Sequence, residues 1–180
     1  MPQQPEIGYI AIRIFSENTY TEFKEALQQL LKKHISKLII DVRDNPGGYM
    51  DAVTSILDEL IAGKHTLLTT KSKSATEVVA TKEAGIFEKE KICVLINENS
   101  ASASEILAGV VQDLDRGEVI GRRSYGKGLV QEQFALPDNA AIRITVARYY
   151  LPSGRCIQKD YSHGKNEYQQ EIYERFFRGK

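Results

Sequence analysis

The sequence lacks tryptophan and contains only two cysteines and two methionines among its 180 residues. It also lacks an excess of either charge, because 24 Lys and Arg residues are balanced by 24 Asp and Glu residues. A neutral chain has no broad basic surface with which to neutralise nucleic-acid phosphates. No apolar run reaches the roughly 18 to 20 residues that cross a bilayer, and the first six residues do not resemble a signal peptide. The sequence therefore predicts neither a nucleic-acid partner nor a membrane span.

The two cysteines also limit the chemistry. Cys93 and Cys156 make at most one disulfide and show neither a metal-binding spacing nor a Cys-x-x-Cys pattern, so we expect no metal and no cofactor. Whether the two pair is left open by the sequence. Hydrophobic residues make up 42% of the chain and charged residues 27%, which is typical of one globular domain.

Strand and helix patterns alternate along the chain, which predicts an α/β fold with at least part of the sheet parallel. Apolar runs or alternation predict strands over 7–15, 38–40, 92–96, 119–121, 129–134 and 142–149, and a hairpin over 67–81. Helical spacing predicts helices over 20–31, 52–61 and 106–115. Thr19 or Thr21 is the expected N-cap of the first helix, and Ile142, Ile144 and Val146 are expected to face inward.

The C-terminal segment has a separate apolar pattern. Beyond the Pro152–Gly154 turn, aromatic and aliphatic residues recur at helical spacing: Tyr168, Ile172, Tyr173, Phe176 and Phe177. We therefore divide the chain into a core over 1–160 and an amphipathic helical tail over 161–180.

The segment Asp41–Gly48 links a buried strand to a helix and ends in Asn-Pro-Gly-Gly. Adjacent glycines allow backbone N–H groups to point outward, so this segment can form an anion or oxyanion site. A turn that needs glycine only for its backbone conformation explains the same pattern.

Three serines separated by alanines lie where the next buried strand meets a helix: Ser100, Ser102 and Ser104. A serine at a helix start lies near free N–H groups and the positive end of the helix dipole, which suits a nucleophile. Ser102 and Glu105 also have the spacing of a capping box, and the two roles are compatible.

A nucleophilic serine needs a base. His34, His65 and His163 lie in segments that do not lead to the serine motif. Lys127, between two glycines at the entry to a strand, is the alternative if its surroundings keep the amine neutral. A solvated turn lysine is the simpler explanation of the same spacing.

The segment Gly121–Lys127 also matches part of a phosphate-binding loop, which would imply a nucleotide ligand. The match fails at Gly128, where Ser or Thr is required, and at the predicted strand that begins at Leu129 where a helix is required. We therefore disfavour nucleotide binding.

Taken together, four motifs resemble the carboxy-terminal processing peptidases, also called tail-specific proteases. They are the segments 38–48, 100–106 and 126–131 and the pair Gln112-Asp113. The segment Ala147–Arg155 is similar to the strand and turn that follow in that family, and the resemblance runs from about Gly8 to Tyr161.

The resemblance implies a serine endopeptidase with a Ser-Lys dyad on a crotonase-like core of repeated ββα units, with a mixed sheet and flanking helices. It makes Ser102 the nucleophile, Lys127 the general base and Gln131 the residue that orients the lysine. The oxyanion hole is expected at the backbone N–H groups of Ala103 and of Gly48, less readily Gly47. Asp113 matches a supporting acidic position.

The resemblance also implies polypeptide substrates, cleaved near their C-termini, an extracytoplasmic or periplasmic location and a possible homo-oligomer. The PDZ domain that usually precedes this core is not among the 180 residues. Two other functions remain open: a non-proteolytic crotonase-type enzyme acting on acyl thioesters, and an inactive peptide-binding or assembly module.

Overall fold

The computed structural model describes residues 4–160, 170–171, 173–174 and 177–178. In chain order the elements are β1 Ile7–Ala11, α1 Thr19–Leu31, β2 Lys37–Asp41, α2 Met50–Leu60, β3 Thr66–Ser72, β4 Thr76–Ala80, β5 Lys91–Ile96, α3 Ala103–Asp113, β6 Glu118–Gly121, β7 Leu129–Ala135 and β8 Ala141–Tyr150. None of the described helices is long and apolar enough to span a membrane.

The described residues form two sheets, one parallel and one antiparallel, where the sequence predicts a mixed sheet. The parallel sheet has the order β1-β2-β5-β6, and the antiparallel sheet has the order β4-β3-β8-β7. The core strands of the parallel sheet are buried at Leu38, Ile40, Ile92 and Val94, as expected for apolar runs covered on both faces. The α/β architecture with flanking helices is therefore confirmed.

The start of the chain differs from the sequence prediction in two details. The first strand ends at Ala11 rather than at Phe15, which is buried and pairs instead with the loop at Gly48. Asn18, not Thr19 or Thr21, is the N-cap of α1. Thr19 is instead the first helical residue, and its hydroxyl donates to the Ile14 carbonyl oxygen at 3.1 Å, which stabilises the turn before the helix.

The prediction that β8 buries its alternating isoleucines is wrong. Ile142 and Ile144 are each 45% exposed, whereas Tyr149 near the end of the strand is buried. β8 pairs with β3 only from Ala147 to Tyr150, so the far half of the β7–β8 hairpin extends beyond the rest of the sheet. Alternation identifies the two faces of a strand, but tertiary contacts decide which face is covered.

The predicted hairpin over 67–81 is confirmed as β3 and β4. Leu67 and Leu68 are buried, so of the two hairpin strands β3 contributes to the core and β4 lies at one edge of the sheet. Cys93 and Cys156 are free thiols. The predicted C-terminal helix over 161–180 lies largely outside the described residues; positions 170, 171, 173, 174 and 177 are helical.

A buried carboxylate fixes the end of β2, at the start of the segment Asp41–Gly48. Asp41 accepts hydrogen bonds from the Tyr9 hydroxyl at 2.6 Å and from the Arg43 guanidinium at 2.7 and 3.0 Å. The Arg43 hydrogen bonds hold the pKa of Asp41 well below its ordinary range, although burial acts in the opposite sense. The ionised carboxylate therefore stabilises the fold, and acid removes that contribution.

We expect Asp41→Asn to lower the free energy of unfolding at pH 7 by about 2–4 kcal/mol, because an amide cannot accept all of these donors. Because the pKa of Asp41 is lower in the folded state than its unfolded value near 4, its carboxylate stabilises the fold above about pH 4, and this stabilisation is lost as the pH falls further. The Asn variant has no such carboxylate, so below about pH 4 its free energy of unfolding should fall less than that of wild type. Urea unfolding at pH 7 and pH 3 measures both effects. The exposed loop variant Asp138→Asn is the control, and equal behaviour of the two variants would contradict this role of Asp41.

Candidate active site

Asn45 ties the Asn-Pro-Gly-Gly loop to two neighbouring segments. Its side-chain amide donates to the Ile12 carbonyl oxygen at 2.8 Å, and its side-chain oxygen accepts the Gly47 N–H at 2.8 Å. Its backbone carbonyl accepts from the Ala101 N–H and from the Ser104 hydroxyl, each at 3.0 Å. Because Asn45 is fully buried, these bonds fix the loop beside the start of α3.

Two glycines bring the loop backbone against its neighbours. Gly47 has φ of 99° and Gly48 has φ of 142°, both in the region that favours glycine. A Cβ on Gly47 would lie 2.7 Å from the Cβ of Ser102, and a Cβ on Gly48 would lie 2.0 Å from the Phe15 carbonyl oxygen. Both positions therefore require glycine, and the loop contacts Ser102 directly.

The loop and the helix start each present a free backbone donor. The Gly47 N–H is used by Asn45, whereas the N–H groups of Gly48 and Ala103 have no hydrogen-bond partner among the described residues. Gly48 and Ala103 both line one cleft. Two N–H groups from separate segments are thus available at the same cleft.

Ser102 stands at the N-cap of α3 with an unusual backbone conformation. Its φ of 55° and ψ of −114° belong to a region that costs non-glycine residues about 1–3 kcal/mol. The Glu105 carboxylate accepts the Ser102 N–H at 2.8 Å, as the predicted capping box requires. A sharp, strained turn from a strand into a helix exposes a serine hydroxyl in the way that a nucleophile requires.

The two neighbouring serines have structural roles. The Ser100 hydroxyl donates to the Val42 carbonyl oxygen at 2.7 Å, and the Ser104 hydroxyl donates to the Asn45 carbonyl oxygen. Both serines are fully buried. Of the three serines in the motif, Ser102 is the one that lines the cleft.

Lys127 lies on the segment between β6 and β7 and lines the same cleft as Ser102. It is half-buried, and in the part of the chain that the structure describes its amine has no hydrogen bond or ion pair. Its two glycine neighbours are held by backbone and side-chain bonds: Gly126 accepts the Lys159 N–H at 2.9 Å, and Gly128 donates to the Gln158 side chain at 3.1 Å. As predicted, a strand and not a helix follows, so the segment is not a phosphate-binding loop.

Tyr149 is a site residue that the sequence analysis does not predict. It is buried on β8, its hydroxyl lies 3.2 Å from Ser102 Oγ, and the same hydroxyl donates to the Lys127 carbonyl oxygen. Burial raises the pKa of Tyr149, against the effect of the Ser102 hydrogen bond, so the phenol is neutral at physiological pH. If the alternation of Ile142, Ile144 and Val146 continued along the strand, it would turn Tyr149 to the opposite face, so the sequence offers no signal for this contact.

The cleft has a volume of about 460 Å³ and contains both apolar and polar side chains. Met50, Ile106 and Leu129 are apolar lining residues, and Gln131 lies beside them. The described residues that line the cleft include no acidic side chain and no histidine; Lys127 and Arg143 are its basic side chains. Within the described ranges no group of His, Cys, Asp and Glu could hold a metal. His163 lies outside them.

Asp113 lies away from the cleft, at the far end of α3. Its position eleven residues beyond Ser102 corresponds to about 16 Å of helix. Its carboxylate pairs with Arg155 at 2.8 Å and accepts the Ser153 hydroxyl at 2.5 Å. Asp113 therefore anchors the turn that follows β8, and β8 carries Tyr149.

Comparison with known proteins agrees with this arrangement. Residues 6–164 match peptidase family S41. The chain is 37% identical over 159 residues to a carboxy-terminal-processing protease of Bartonella bacilliformis, and 39% identical over 153 residues to a carboxyl-terminal-processing protease of Synechocystis sp.. Each alignment covers 85% of this chain and 36% of the relative, so the chain spans about a third of the length of these curated relatives.

Solved structures with the same fold include a protease of the same kind. The photosystem II D1 C-terminal processing protease superposes with a TM-score of 0.77 at 32% identity, over 84% of this chain and 39% of that one. A lipoprotein from Streptococcus agalactiae shares the fold, with a TM-score of 0.70 at 20% identity over 94% of this chain and 65% of that one. Because the family match extends over most of the chain, and because similar proteases share its sequence and fold, the chain belongs to peptidase family S41.

Proposed function

We propose that this chain is the catalytic core of a serine endopeptidase that uses a Ser102–Lys127 dyad and cleaves polypeptides near their C-termini. One observation carries the proposal. Ser102, held in a strained turn, lines the same cleft as a half-buried lysine that has no ionic partner among the described residues. The names of the similar proteases support the substrate class.

In the proposed reaction the neutral Lys127 amine removes the proton from Ser102 Oγ as that oxygen bonds to the scissile carbonyl carbon. The carbonyl electrons move to oxygen, and the Gly48 and Ala103 N–H groups stabilise the resulting oxyanion. The Lys127 ammonium then protonates the departing amine nitrogen, which leaves an acyl-serine. Water, deprotonated by the same amine, attacks the ester carbon, the bond from that carbon to Ser102 Oγ breaks to release the carboxylic acid product, and the ammonium returns its proton to Ser102 Oγ.

Gln131 is assigned the role of orienting Lys127. It lies on β7, next to a register shift between Val130 and Gln131, and its side chain makes no hydrogen bond to another described residue. An unpaired amide that lines the same cleft as Lys127 can accept a hydrogen bond from the amine. Asp113 supports the site only indirectly, through the turn it anchors.

Two broader assignments follow from the family. The crossovers β1–α1–β2 and β5–α3–β6 within one parallel sheet agree with a crotonase-like core of repeated units. We also propose an extracytoplasmic location, which rests on the family resemblance.

We expect Ser102→Ala and Lys127→Ala each to abolish hydrolysis of an unstructured peptide, because each removes one member of a single catalytic unit. The double variant should lose no more than either single variant. Peptide turnover followed by mass spectrometry measures the loss, and a fluorophosphonate label should add its mass to wild type but not to Ser102→Ala.

Ser104→Ala is the matched control for that experiment. It removes a buried hydrogen bond to Asn45, so it should lower stability by about 1–2 kcal/mol while folded protein keeps its turnover. Loss of labelling in Ser104→Ala together with full turnover in Ser102→Ala would contradict the assignment of Ser102 as the nucleophile. A wild-type chain that no label modifies would favour the thioester or non-catalytic alternatives.

The rate should rise with pH, because only the uncharged amine can accept the Ser102 proton. Lys127→Arg should be inactive over the whole range, since a guanidinium does not deprotonate in proteins. The measurement is initial rate against pH from 5 to 10. A wild-type profile that is flat, or an active Lys127→Arg variant, would exclude a lysine base.

A peptide with a free C-terminal carboxylate should be cleaved about two- to fivefold faster than its C-terminal amide, when the carboxylate lies within reach of Arg143. Arg143 is a permanent cation at the cleft, and no acidic side chain among the described residues lines it. The preference should disappear in Arg143→Gln and weaken at high salt. If Arg143→Gln preferred the free carboxylate over the amide as strongly as wild type does, a group other than Arg143 would recognise the C-terminus.

A further inference from the structure

Glu105 is buried immediately behind the proposed dyad, with only 4% of the residue exposed. Its carboxylate accepts four hydrogen bonds. Oε2 accepts the backbone N–H groups of Ser102 and Lys127, each at 2.8 Å. Oε1 accepts the backbone N–H of Gly126 at 2.6 Å and the hydroxyl of Ser124 at 2.7 Å. One side chain thus joins the start of α3 to the segment that carries Lys127.

The chemistry of these four partners requires a carboxylate. All four are donors, and an ionised carboxylate offers acceptor sites on both oxygens. A glutamine of the same size would place its NH₂ group against N–H donors and leave buried polar groups unsatisfied. Among the described residues no Lys or Arg side chain lies within ion-pair distance of Glu105, so hydrogen bonds and the N-terminus of α3 stabilise its charge.

The shared Glu105 Oε2 limits the distance between the backbone nitrogens of Ser102 and Lys127. Because Ser102 N and Lys127 N both bond to Oε2, the two nitrogens are no more than twice the 2.8 Å bond length apart. The residues belong to segments that are distant along the chain, and no strand pairing joins those segments directly. Glu105 therefore holds the backbones of the nucleophile and the base together, and Tyr149 is a second side chain that contacts both residues.

We propose that Glu105 is a positioning residue, which fixes the separation and orientation of Ser102 and Lys127 through their backbone N–H groups. It touches neither substrate nor the reacting atoms. The proposal rests on the proposed dyad, and it predicts that loss of Glu105 affects the chemical step far more than peptide binding. A displacement of about 1 Å between reacting groups lowers the rate about 100-fold.

The test compares Glu105→Gln with wild type in fluorophosphonate labelling of Ser102 and in kcat and KM for an unstructured peptide. All rates are measured well below the unfolding midpoint of the least stable variant. We expect the labelling rate and kcat to fall at least 100-fold, with KM changed less than threefold.

Glu59→Gln is the matched control, because Glu59 is also buried and bonds to Tyr20 and Lys24 at 2.6 Å, outside the cleft. It should lower the unfolding midpoint and leave labelling unchanged. A purely structural role for Glu105 would make the two variants alike. Folded Glu105→Gln that labels at the wild-type rate would overturn the proposal.

Ser124 provides a milder variant in case Glu105→Gln does not fold. Ser124→Ala removes one of the four donors and should slow labelling about five- to tenfold, whereas Ser124→Thr keeps the hydroxyl and should label within twofold of wild type. Wild-type labelling by Ser124→Ala would overturn the positioning role. A wild-type chain that never labels would instead overturn the dyad itself, and the positioning role with it.

Discussion

The structure of the site depends on the contact between the Gly47 backbone and Ser102. The loop after β2 and the helix after β5 start at the same edge of a parallel sheet, because these two strands are neighbours in it. They can touch only because Gly47 has no side chain, since a Cβ there would lie 2.7 Å from that of Ser102. Asn45 then holds the contact with four hydrogen bonds. This contact brings the two free N–H groups to one cleft.

The same contact explains how a strained serine is maintained. The backbone of Ser102 occupies a conformation that an isolated turn would not adopt, and such strain persists only where the surroundings determine it. Here the loop packs on one side, the Glu105 carboxylate binds the Ser102 N–H, and the Tyr149 hydroxyl approaches its oxygen. Ser102 is consequently held at the cleft.

Lys127 reaches the cleft by a different route. Its segment belongs to neither sheet and depends on contacts with residues distant in sequence, which are the Gln158 side chain, the Lys159 backbone and the Glu105 carboxylate. The hairpin that follows extends past the sheet with Ile142 and Ile144 exposed, so the apolar pattern of that strand is not used in the core. The position of the amine is thus a property of the whole fold.

The sequence by itself determined the parts that depend on local pattern. The apolar runs at 38–40 and 92–96, the helical stripes and the turn residues predict the parallel strands, their helices and the loops between them, and the structure confirms them. The motifs likewise identify the family and the candidate residues Ser102, Lys127 and Gly48. Only the tertiary structure decided that the described strands form two sheets, that Asp113 lies far from the cleft, that Tyr149 contacts the proposed dyad, and that Glu105, whose capping-box contact with Ser102 the sequence predicts, also binds Lys127. The physical reason is that the periodicity of apolar residues shows only that the two faces of a helix or strand differ. The hydrogen-bond partner of a buried hydroxyl or carboxylate often lies on a distant segment, which comes close only when the chain is folded.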